Sequence, residues 1–343
     1  IKALWLVATN PLVSYPDQKK LRRALNKLEL LVVQDAFKSE TSLKADVVFS
    51  AATWSEKEGT YTNSERRCNY ARKAVEPLGD TKSDFDIVLE FSKYFEGLNE
   101  KLYTNWSEPR DAFNEWKKVS SGRLCDYSGI SYELIEELGG IQWPCNEKYP
   151  KGKARLYDED MPCPSENGKA KLLALDWLPL SEACNGDFPL VLNTGRTVEQ
   201  WHTRTKTKTI SILNDLAPEA WIEINPVDAK KLEVSNGDRI DISSIRGRIN
   251  DIIVKESQNI RPGSIFVPFH YNEQLINTIT KAEFDPKSFE PNYKQCAVQL
   301  HSIKVPNGIV LKENEIAGAL EHIVLKQEIP LFKEALKTTK KED

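Results

Sequence analysis

The sequence contains no closely spaced pair of cysteines. Its six cysteines are scattered over 343 residues, and the nearest two, Cys145 and Cys163, lie 18 positions apart. This spacing excludes the paired thiols of zinc sites and redox motifs, and it excludes the compact cysteine run of bacterial iron–sulfur proteins. The simplest interpretation is that all six are free thiols in a reducing cytoplasm.

Long apolar runs and an excess of one charge are also missing. No apolar run approaches the roughly 18 residues of a membrane span, and no signal peptide is visible. The 47 basic and 51 acidic residues give a net charge of −4. This small net charge does not indicate binding to a nucleic acid or to a membrane surface. We therefore expect a cytoplasmic protein that binds neither. The length predicts one large or two ordinary globular domains.

Methionine is nearly absent, because Met161 is the single example. The first residue, Ile1, is therefore not expected to be a translation start. A predicted strand also begins almost at once. We interpret the chain as a fragment of a longer protein.

The first hundred residues alternate apolar strands with helices. Strands are predicted at 3–8, 30–33 and 46–49, with a helix near 19–28. This spacing predicts a doubly wound α/β unit whose parallel strands are covered on both faces. Such sheets bind ligands at the carboxyl ends of their strands, where Asn10, Gln34 and Asp35 lie. Each of these residues taken alone would also suit a polar turn.

A charged segment at 54–67 follows, and a helix is predicted from about 81 to 95. The segment is either an exposed loop or, through Lys57, a contact for a bound anion. Ser83 or Asp84 would cap the helix. Alternatively, Asp84 would accept a hydrogen bond from the amino group of a purine.

The remainder of the chain is predicted to contain a helical region, a connector and a β-rich domain. Helices are predicted at 107–119 and 131–138, and a connector rich in proline, glycine and charge follows them, with a domain boundary near 180. The last domain has short strands at 220–224, 239–243, 248–254 and 264–271. Several short strands separated by glycine turns predict a small barrel. After about residue 304 a charged helical tail is expected.

A polar loop after the apolar strand at 188–192 is the most informative stretch. It carries one imidazole, His202, several hydroxyl groups, and a tight-turn residue, Gly195. Its four cations are Arg196, Arg204, Lys206 and Lys208. A loop with many donors and few acceptors suits a ligand that has phosphates and a polar heterocycle. The alternative is a solvated basic loop, which is common.

Taken in order, these motifs resemble the molybdopterin oxidoreductases. The loop that reads Thr-Gly-Arg and then Trp-His-Thr resembles their pterin-binding loop, and its continuation to residue 207 is most similar to assimilatory nitrate reductases. In one departure, Phe49-Ser50 replaces the usual Leu-Pro. The other motifs that carry the resemblance are Asn10-Pro11, Gln34-Asp35, Ala45-Asp46-Val47-Val48, the segments 54–60 and 63–67, and Gly139 to Cys145.

The resemblance implies an α/β Rossmann-like domain followed by a β-rich barrel of the double-psi type, within a larger multidomain enzyme. The Rossmann-like domain would occupy residues 1–100. An irregular helical and connector region would span 101–180, and the dinucleotide-binding barrel would span 181–304. Residues 305–343 would form the charged tail.

The cofactor implied by the resemblance is Mo-bis(molybdopterin guanine dinucleotide). One dinucleotide would be held by Asn10, Gln34, Asp35, Lys57 and Asp84. Other parts of the cofactor would be held by Thr194, Gly195, Arg196, Thr197, Val198, Glu199, Gln200, Trp201, His202 and Thr203, together with Asn277 and Lys294. Phe269 would line the substrate funnel, although plain core packing is the alternative for this residue.

The implied reaction is the two-electron reduction of nitrate to nitrite. The electrons would come from ferredoxin, flavodoxin or an NADH-linked subunit, through a 4Fe-4S cluster. The ligands of the cluster and of molybdenum are expected upstream of Ile1, so no metal ligand is predicted here and the chain alone should be inactive. Two alternatives stay open: a fragment of a formate dehydrogenase alpha subunit, or a non-catalytic dinucleotide-binding module, which includes a subunit that completes the site of another chain.

Overall fold

The computed structural model describes residues 1–95, 97 and 105–302. The predicted tail at 305–343 lies outside these residues. In the described part of the chain, no helix is long and apolar enough to cross a membrane.

A three-stranded parallel sheet opens the chain. Its strands β1 (Ala3–Val7), β2 (Leu30–Asp35) and β3 (Val47–Ser50) lie side by side in that order. Helices α1 (Pro11–Ser14) and α2 (Gln18–Leu25) connect the first two strands. The predicted strands and their parallel direction are confirmed. All three strands end at the same edge, which brings the residues after each strand together.

The sheet leaves apolar side chains in solvent. Val7 and Val48 are 48% and 47% exposed, and Leu30 and Val47 are each 40% exposed. Leu31 and Val33, by contrast, are buried. The prediction that these strands are covered on both faces is therefore wrong for the residues described. The Rossmann-like, doubly wound arrangement is not confirmed and stays a prediction.

The middle of the chain forms an antiparallel sheet with helices beside it. Strands β4 (Gly59–Thr62), β5 (Arg67–Ala71) and β6 (Ile141–Gln142) pair in sequence order. The helices are α3 (Asp84–Ser92), α4 (Pro109–Ser120) and α5 (Tyr132–Leu138). The predicted cap of α3 is confirmed, because the Ser83 side chain accepts a hydrogen bond from the backbone N–H of Asp86.

The last part of the described chain is a closed six-stranded barrel, which confirms the barrel prediction. Its strand order is β10-β8-β11-β7-β12-β9. Its core is dense in isoleucine, as the fully buried Ile222, Ile240 and Ile252 illustrate. The double-psi subtype stays a prediction. The elements of this region are β7 (Leu190–Gly195), α6 (Ser211–Leu216), β8 (Trp221–Ile224), α7 (Pro226–Leu232), β9 (Arg239–Ser244), β10 (Gly247–Glu256), β11 (Ser264–Pro268) and β12 (Cys296–Ser302).

Two barrel strands position the polar loop. β7 and β11 are parallel neighbours, with Gly195 opposite Pro268, so the segments that follow them leave the barrel at the same end. Asn277 joins this end to α1, because its amide nitrogen donates to the carbonyl oxygens of Val13 at 2.9 Å and Ser14 at 3.1 Å. The loop after β7 therefore lies against the carboxyl edge of the parallel sheet.

Candidate functional site

A cavity of about 400 Å³ lies where the parallel sheet meets the polar loop. This volume falls in the range of roughly 300–1,000 Å³ that is typical of small-molecule sites. The two sides of the cavity come from stretches almost 200 residues apart in sequence. It is lined by Ala8, Thr9, Asn10, Ser14, Asp35, Trp201, His202, Thr203, Thr205 and Lys206.

Asn10 joins the two sides of this cavity. Its amide nitrogen donates to Glu40 Oε2 at 2.7 Å and to Thr203 Oγ1 at 3.2 Å. Its amide oxygen accepts from the backbone N–H of Thr41 at 3.2 Å and from the Thr41 hydroxyl at 2.7 Å. Asn10 is only 6% exposed, so its hydrogen bonds fix the end of β1 against the loop after β7.

Gln34, Asp84 and Lys57 form a second polar network at the end of β2. The Gln34 amide nitrogen donates to Asp84 Oδ1 at 2.6 Å, and the Lys57 ammonium group pairs with the other Asp84 oxygen. Gln34 is fully buried, and its amide oxygen has no hydrogen-bond partner among the described residues. An unpaired buried acceptor is costly. The described protein therefore leaves this acceptor unused.

Lys57 and Asp84 line a second cavity, of about 650 Å³. The end of β2 connects the two cavities. Asp35 lines the first, and its neighbour Gln34 is bonded to Asp84 at the wall of the second. The five residues predicted to hold one dinucleotide are thus brought to one edge of the parallel sheet.

Burial and neighbouring charge set the ionisation of two groups at the first cavity. Burial raises the pKa of the Asp35 carboxyl, although hydrogen bonds from the backbone of Phe37 and the charge of Lys206 partly oppose this shift. Burial lowers the pKa of the His202 imidazole, and the cations Arg196 and Lys206 add to the effect. His202 is therefore neutral at pH 7 and can both donate and accept a hydrogen bond.

Two side chains anchor the polar loop from the inside. Gln200 is 3% exposed; its amide nitrogen donates to the carbonyl oxygens of Leu213 and Ala217, and its amide oxygen accepts from the Thr207 hydroxyl. Arg204 is also buried and donates to Asn214 Oδ1 at 2.5 Å. The amide of Gln200, predicted to contact the cofactor, is thus already used within the protein.

Other loop residues face outward. Val198 is 96% exposed and Trp201 is 59% exposed. Arg196 is also exposed, whereas Glu199 is half-buried. The hydroxyl of Thr197 is buried and has no hydrogen-bond partner among the described residues. It is the second unpaired polar atom among the predicted site residues.

The end of β7 leaves no room for a side chain at Gly195. A Cβ atom added there would lie 2.4 Å from Phe266 Cε2, which is far inside van der Waals contact. The neighbouring Thr194 donates through its hydroxyl to the Tyr293 carbonyl oxygen at 2.5 Å, and Lys294 donates to the Thr194 carbonyl oxygen at 2.8 Å. Thr194 and Lys294 fix the strand end from which the loop departs, and neither lines the two cavities.

Two family comparisons fall on the stretches that build this site. Residues 1–94 match the family described as molybdopterin oxidoreductase, and residues 190–297 match the molybdopterin dinucleotide binding domain. The chain belongs to the molybdopterin oxidoreductase family. The first match contributes Asn10 and Asp35 to the smaller cavity, and the second contributes Trp201, His202 and Thr203.

Curated molybdopterin oxidoreductases of two kinds resemble this chain. It is 37% identical over 303 residues to the F420-dependent formate dehydrogenase subunit alpha of Methanocaldococcus jannaschii, a match that covers 88% of the chain and 43% of that protein. It is 34% identical over 302 residues to the assimilatory nitrate reductase catalytic subunit of Bacillus subtilis, covering 88% of the chain and 42% of that protein. The chain therefore spans less than half the length of these relatives.

A solved structure resembles the fold. Acetylene hydratase from Pelobacter acetylenicus superposes with a TM-score of 0.62 at 18% identity, over 88% of this chain and 44% of that one. At this identity the likeness concerns the fold alone.

In this molybdopterin oxidoreductase chain, two other residues predicted for the site, Asn277 and Phe269, make contacts within the protein. The amide nitrogen of Asn277 is used by α1, and its amide oxygen accepts from Thr280 Oγ1 at 3.1 Å. Phe269 is half-buried and packs against the barrel core. The core-packing alternative therefore describes its position, and its role in a substrate funnel stays a prediction.

Sequence reasoning missed several residues that shape the site. Glu40 and Thr41 bond to Asn10, and their position just after Gln34-Asp35 in a polar stretch was a usable signal. His270 lies under the polar loop, and its partners there are 68 and 73 positions away in sequence. In the part of the chain that the structure describes, no group of three or more His, Cys, Asp or Glu residues could hold a metal ion.

Proposed function

We propose that this chain binds the guanine dinucleotide portion of a Mo-bis(molybdopterin guanine dinucleotide) cofactor. One observation carries the proposal: the two matched stretches meet at a polar cavity of about 400 Å³ at the carboxyl edge of a parallel sheet. The buried, unpaired oxygens of Gln34 and Thr197 support it, because each is a hydrogen-bonding atom that the described protein leaves unused.

The site offers groups suited to each part of a dinucleotide. Lys57 and Lys206 supply positive charge for phosphates. Asp35 and Asp84 supply carboxylate oxygens that can accept hydrogen bonds from the N–H groups of guanine. The neutral His202 and the exposed Trp201 face the same cavity as Asp35 and suit contact with a heterocycle.

When bound, the cofactor would supply the two-electron redox chemistry, as cofactors generally do. The residues of this chain would bind it, orient it and hold the loop around it. We assign the ligand of molybdenum and the 4Fe-4S cluster to another part of the longer protein, since the relatives are more than twice as long as the matched region.

Binding of guanosine diphosphate (GDP) tests this proposal. We expect calorimetry on the 343-residue chain to detect GDP more strongly than adenosine diphosphate. Lys57→Met should weaken the binding about tenfold or more, because a hydrogen bond from a charged group is worth roughly 1.5–3 kcal/mol. Lys82→Met is the matched control, since Lys82 pairs with Glu90 and lines neither of these two cavities. Equal binding of both nucleotides, or no effect of Lys57→Met, would contradict the proposal.

For the reaction we propose the reduction of nitrate, with formate oxidation as the second candidate. The loop from Gln200 to Thr207 favours nitrate through its resemblance to assimilatory nitrate reductases. The 37% identity to a formate dehydrogenase subunit, against 34% for a nitrate reductase, favours formate. In the nitrate case the electron donor would be ferredoxin, flavodoxin or an NADH-linked subunit.

The two reactions are separated by assaying the longer protein that carries this chain. With a reduced viologen dye as donor, we expect nitrate to be converted to nitrite. Formate-dependent reduction of the oxidised dye, without nitrate reduction, would replace the first candidate by the second. Neither activity, in a protein that still binds GDP, would favour a non-catalytic binding module.

A further inference from the structure

His270 occupies a buried position directly beneath the polar loop. It follows β11 and is fully buried, with ring centroids 4.8 Å from Phe269 and 6.1 Å from Tyr271. Its imidazole contacts two backbone atoms of the loop that are five residues apart. The backbone N–H of Thr197 donates to Nε2 at 2.9 Å, and Nδ1 lies 2.5 Å from the carbonyl oxygen of His202.

These two partners define the protonation state of the ring. A backbone N–H can only donate, so Nε2 must carry a lone pair. A carbonyl oxygen can only accept, so Nδ1 must carry the proton. His270 is therefore the neutral Nδ1–H tautomer in this arrangement. A proton added to Nε2 would face the Thr197 N–H and break that hydrogen bond.

The surroundings favour the neutral ring. Burial lowers the pKa of His270, and the nearby Arg204, Arg196 and His202 lower it further, although the hydrogen bond to His202 opposes the shift. Tyr271, which packs beside it, is neutral because burial raises its pKa to about 12. Carboxylates also lie near this group, because Glu273 pairs with Arg204, and Glu199 and Glu273 act on the adjacent Tyr271. The net effect on the His270 pKa is still a lowering.

One contact, at His202, falls within the loop segment that lines the cavity, and the other, at Thr197, lies four residues before Trp201. Trp201, His202 and Thr203 line the cavity, and the backbone at His202 is left-handed, with φ of 45°. A non-glycine residue in this region persists only where its surroundings hold it. The hydrogen bond from His270 to the His202 carbonyl oxygen is a contact that can do so.

We propose that His270 is a positioning residue: its neutral imidazole clamps the loop at Thr197 and His202 and so presents Trp201, His202 and Thr203 to the nucleotide. The role in presentation rests on the proposed function of the loop. The clamp itself is a property of the protein alone and is tested without any ligand.

Nitrogen NMR of the ¹⁵N-histidine-labelled chain tests the clamp directly. The sequence has only four histidines, so the His270 signal can be assigned with His270→Gln. We expect its spectrum at pH 7 to be that of the Nδ1–H tautomer, with a deprotonated Nε2. An Nε2–H tautomer or a charged ring would overturn the proposal, whether or not the chain binds GDP.

Two substitutions separate the two halves of the clamp. His270→Asn places an amide near the Nδ1 position but leaves Thr197 N–H without an acceptor, whereas the oxygen of His270→Gln reaches the Nε2 position. We expect the Thr197 amide to exchange with solvent about tenfold faster in His270→Asn, since one hydrogen bond is lost, and to stay protected in His270→Gln. Equal exchange in both variants would overturn the clamp.

The effect on the ligand is measured with GDP as the probe. We expect His270→Asn to weaken GDP binding about tenfold, the same hydrogen bond being lost. Tyr271→Phe, which removes only the bond to the Ala217 carbonyl oxygen, should leave binding unchanged.

Below about pH 6.5, the usual pKa of histidine, GDP affinity should fall more steeply in the unaltered chain than in His270→Gln. Unchanged affinity in His270→Asn, with the expected tautomer, would refute the positioning role and leave the proposed function standing.

Discussion

Replacing Asn10 with aspartate changes one atom type at the junction between sheet and loop. The new carboxylate would place an oxygen where the amide nitrogen now lies, 2.7 Å from Glu40 Oε2. Two carboxylates this close cannot both be ionised. Holding one of them protonated at pH 7, about three units above its usual pKa, costs up to about 4 kcal/mol. After local relaxation we expect a loss of about 2–4 kcal/mol in the stability of this junction.

The loss of stability in Asn10→Asp depends on pH. The shared proton raises a carboxyl pKa in the folded state, so the loss is small below the unfolded pKa of about 4 and grows as pH rises toward 7. Adding Glu40→Gln should rescue Asn10→Asp, because the glutamine amide can donate to the new carboxylate. The double variant should lie within about 1 kcal/mol of the unaltered chain.

Hydrogen exchange of the β1 and β2 peptides measures this loss of stability at the junction. We expect protection at pH 7 to fall about 30- to 700-fold in Asn10→Asp, which is the loss above converted at 1.4 kcal/mol per tenfold change. The double variant should recover most of it. A double variant as poorly protected as Asn10→Asp would show that Asn10 and Glu40 do not act as a pair, and the reasoning would fail.

Two further predictions concern stability near the site. Burial raises the pKa of Asp35, so its ionised form costs stability as pH rises through that pKa; Asp35→Asn should therefore stabilise the chain at pH 7 by roughly 0.5–1 kcal/mol in urea unfolding, while GDP binding is lost. A less stable variant would contradict this. Gly195→Ala would set a Cβ 2.4 Å from Phe266 Cε2 and should lower stability by about 1–3 kcal/mol. Its control is Gly186→Ala, whose Cβ meets nothing within 4 Å. Equal melting temperatures for the two variants would refute the close packing.

Local patterns in the sequence predicted the elements well. The apolar runs that became β1, β2 and β7 needed only their composition to be recognised. The cap of α3 followed from Ser83, whose side chain accepts a backbone hydrogen bond as expected. These features depend on residues within a few positions of each other, and one sequence contains all the information they require.

Features that depend on distant partners could not be predicted from the residues alone. The bond between Asn10 and Thr203 joins residues 193 positions apart, and only the packing of the barrel against α1 creates it. The same packing decides that Gln200 faces inward while Val198 faces solvent. The exposure of Val47 and Val48 was missed because an apolar run does not reveal what covers it.

Identification of the bound nucleotide tests the central claim most directly. The longer protein that carries this chain would be purified with its cofactor, and the nucleotide released by mild acid would be identified by chromatography. The proposal predicts guanosine monophosphate, at two per molybdenum. Cytidine monophosphate, or no nucleotide in a preparation that contains molybdenum, would contradict it.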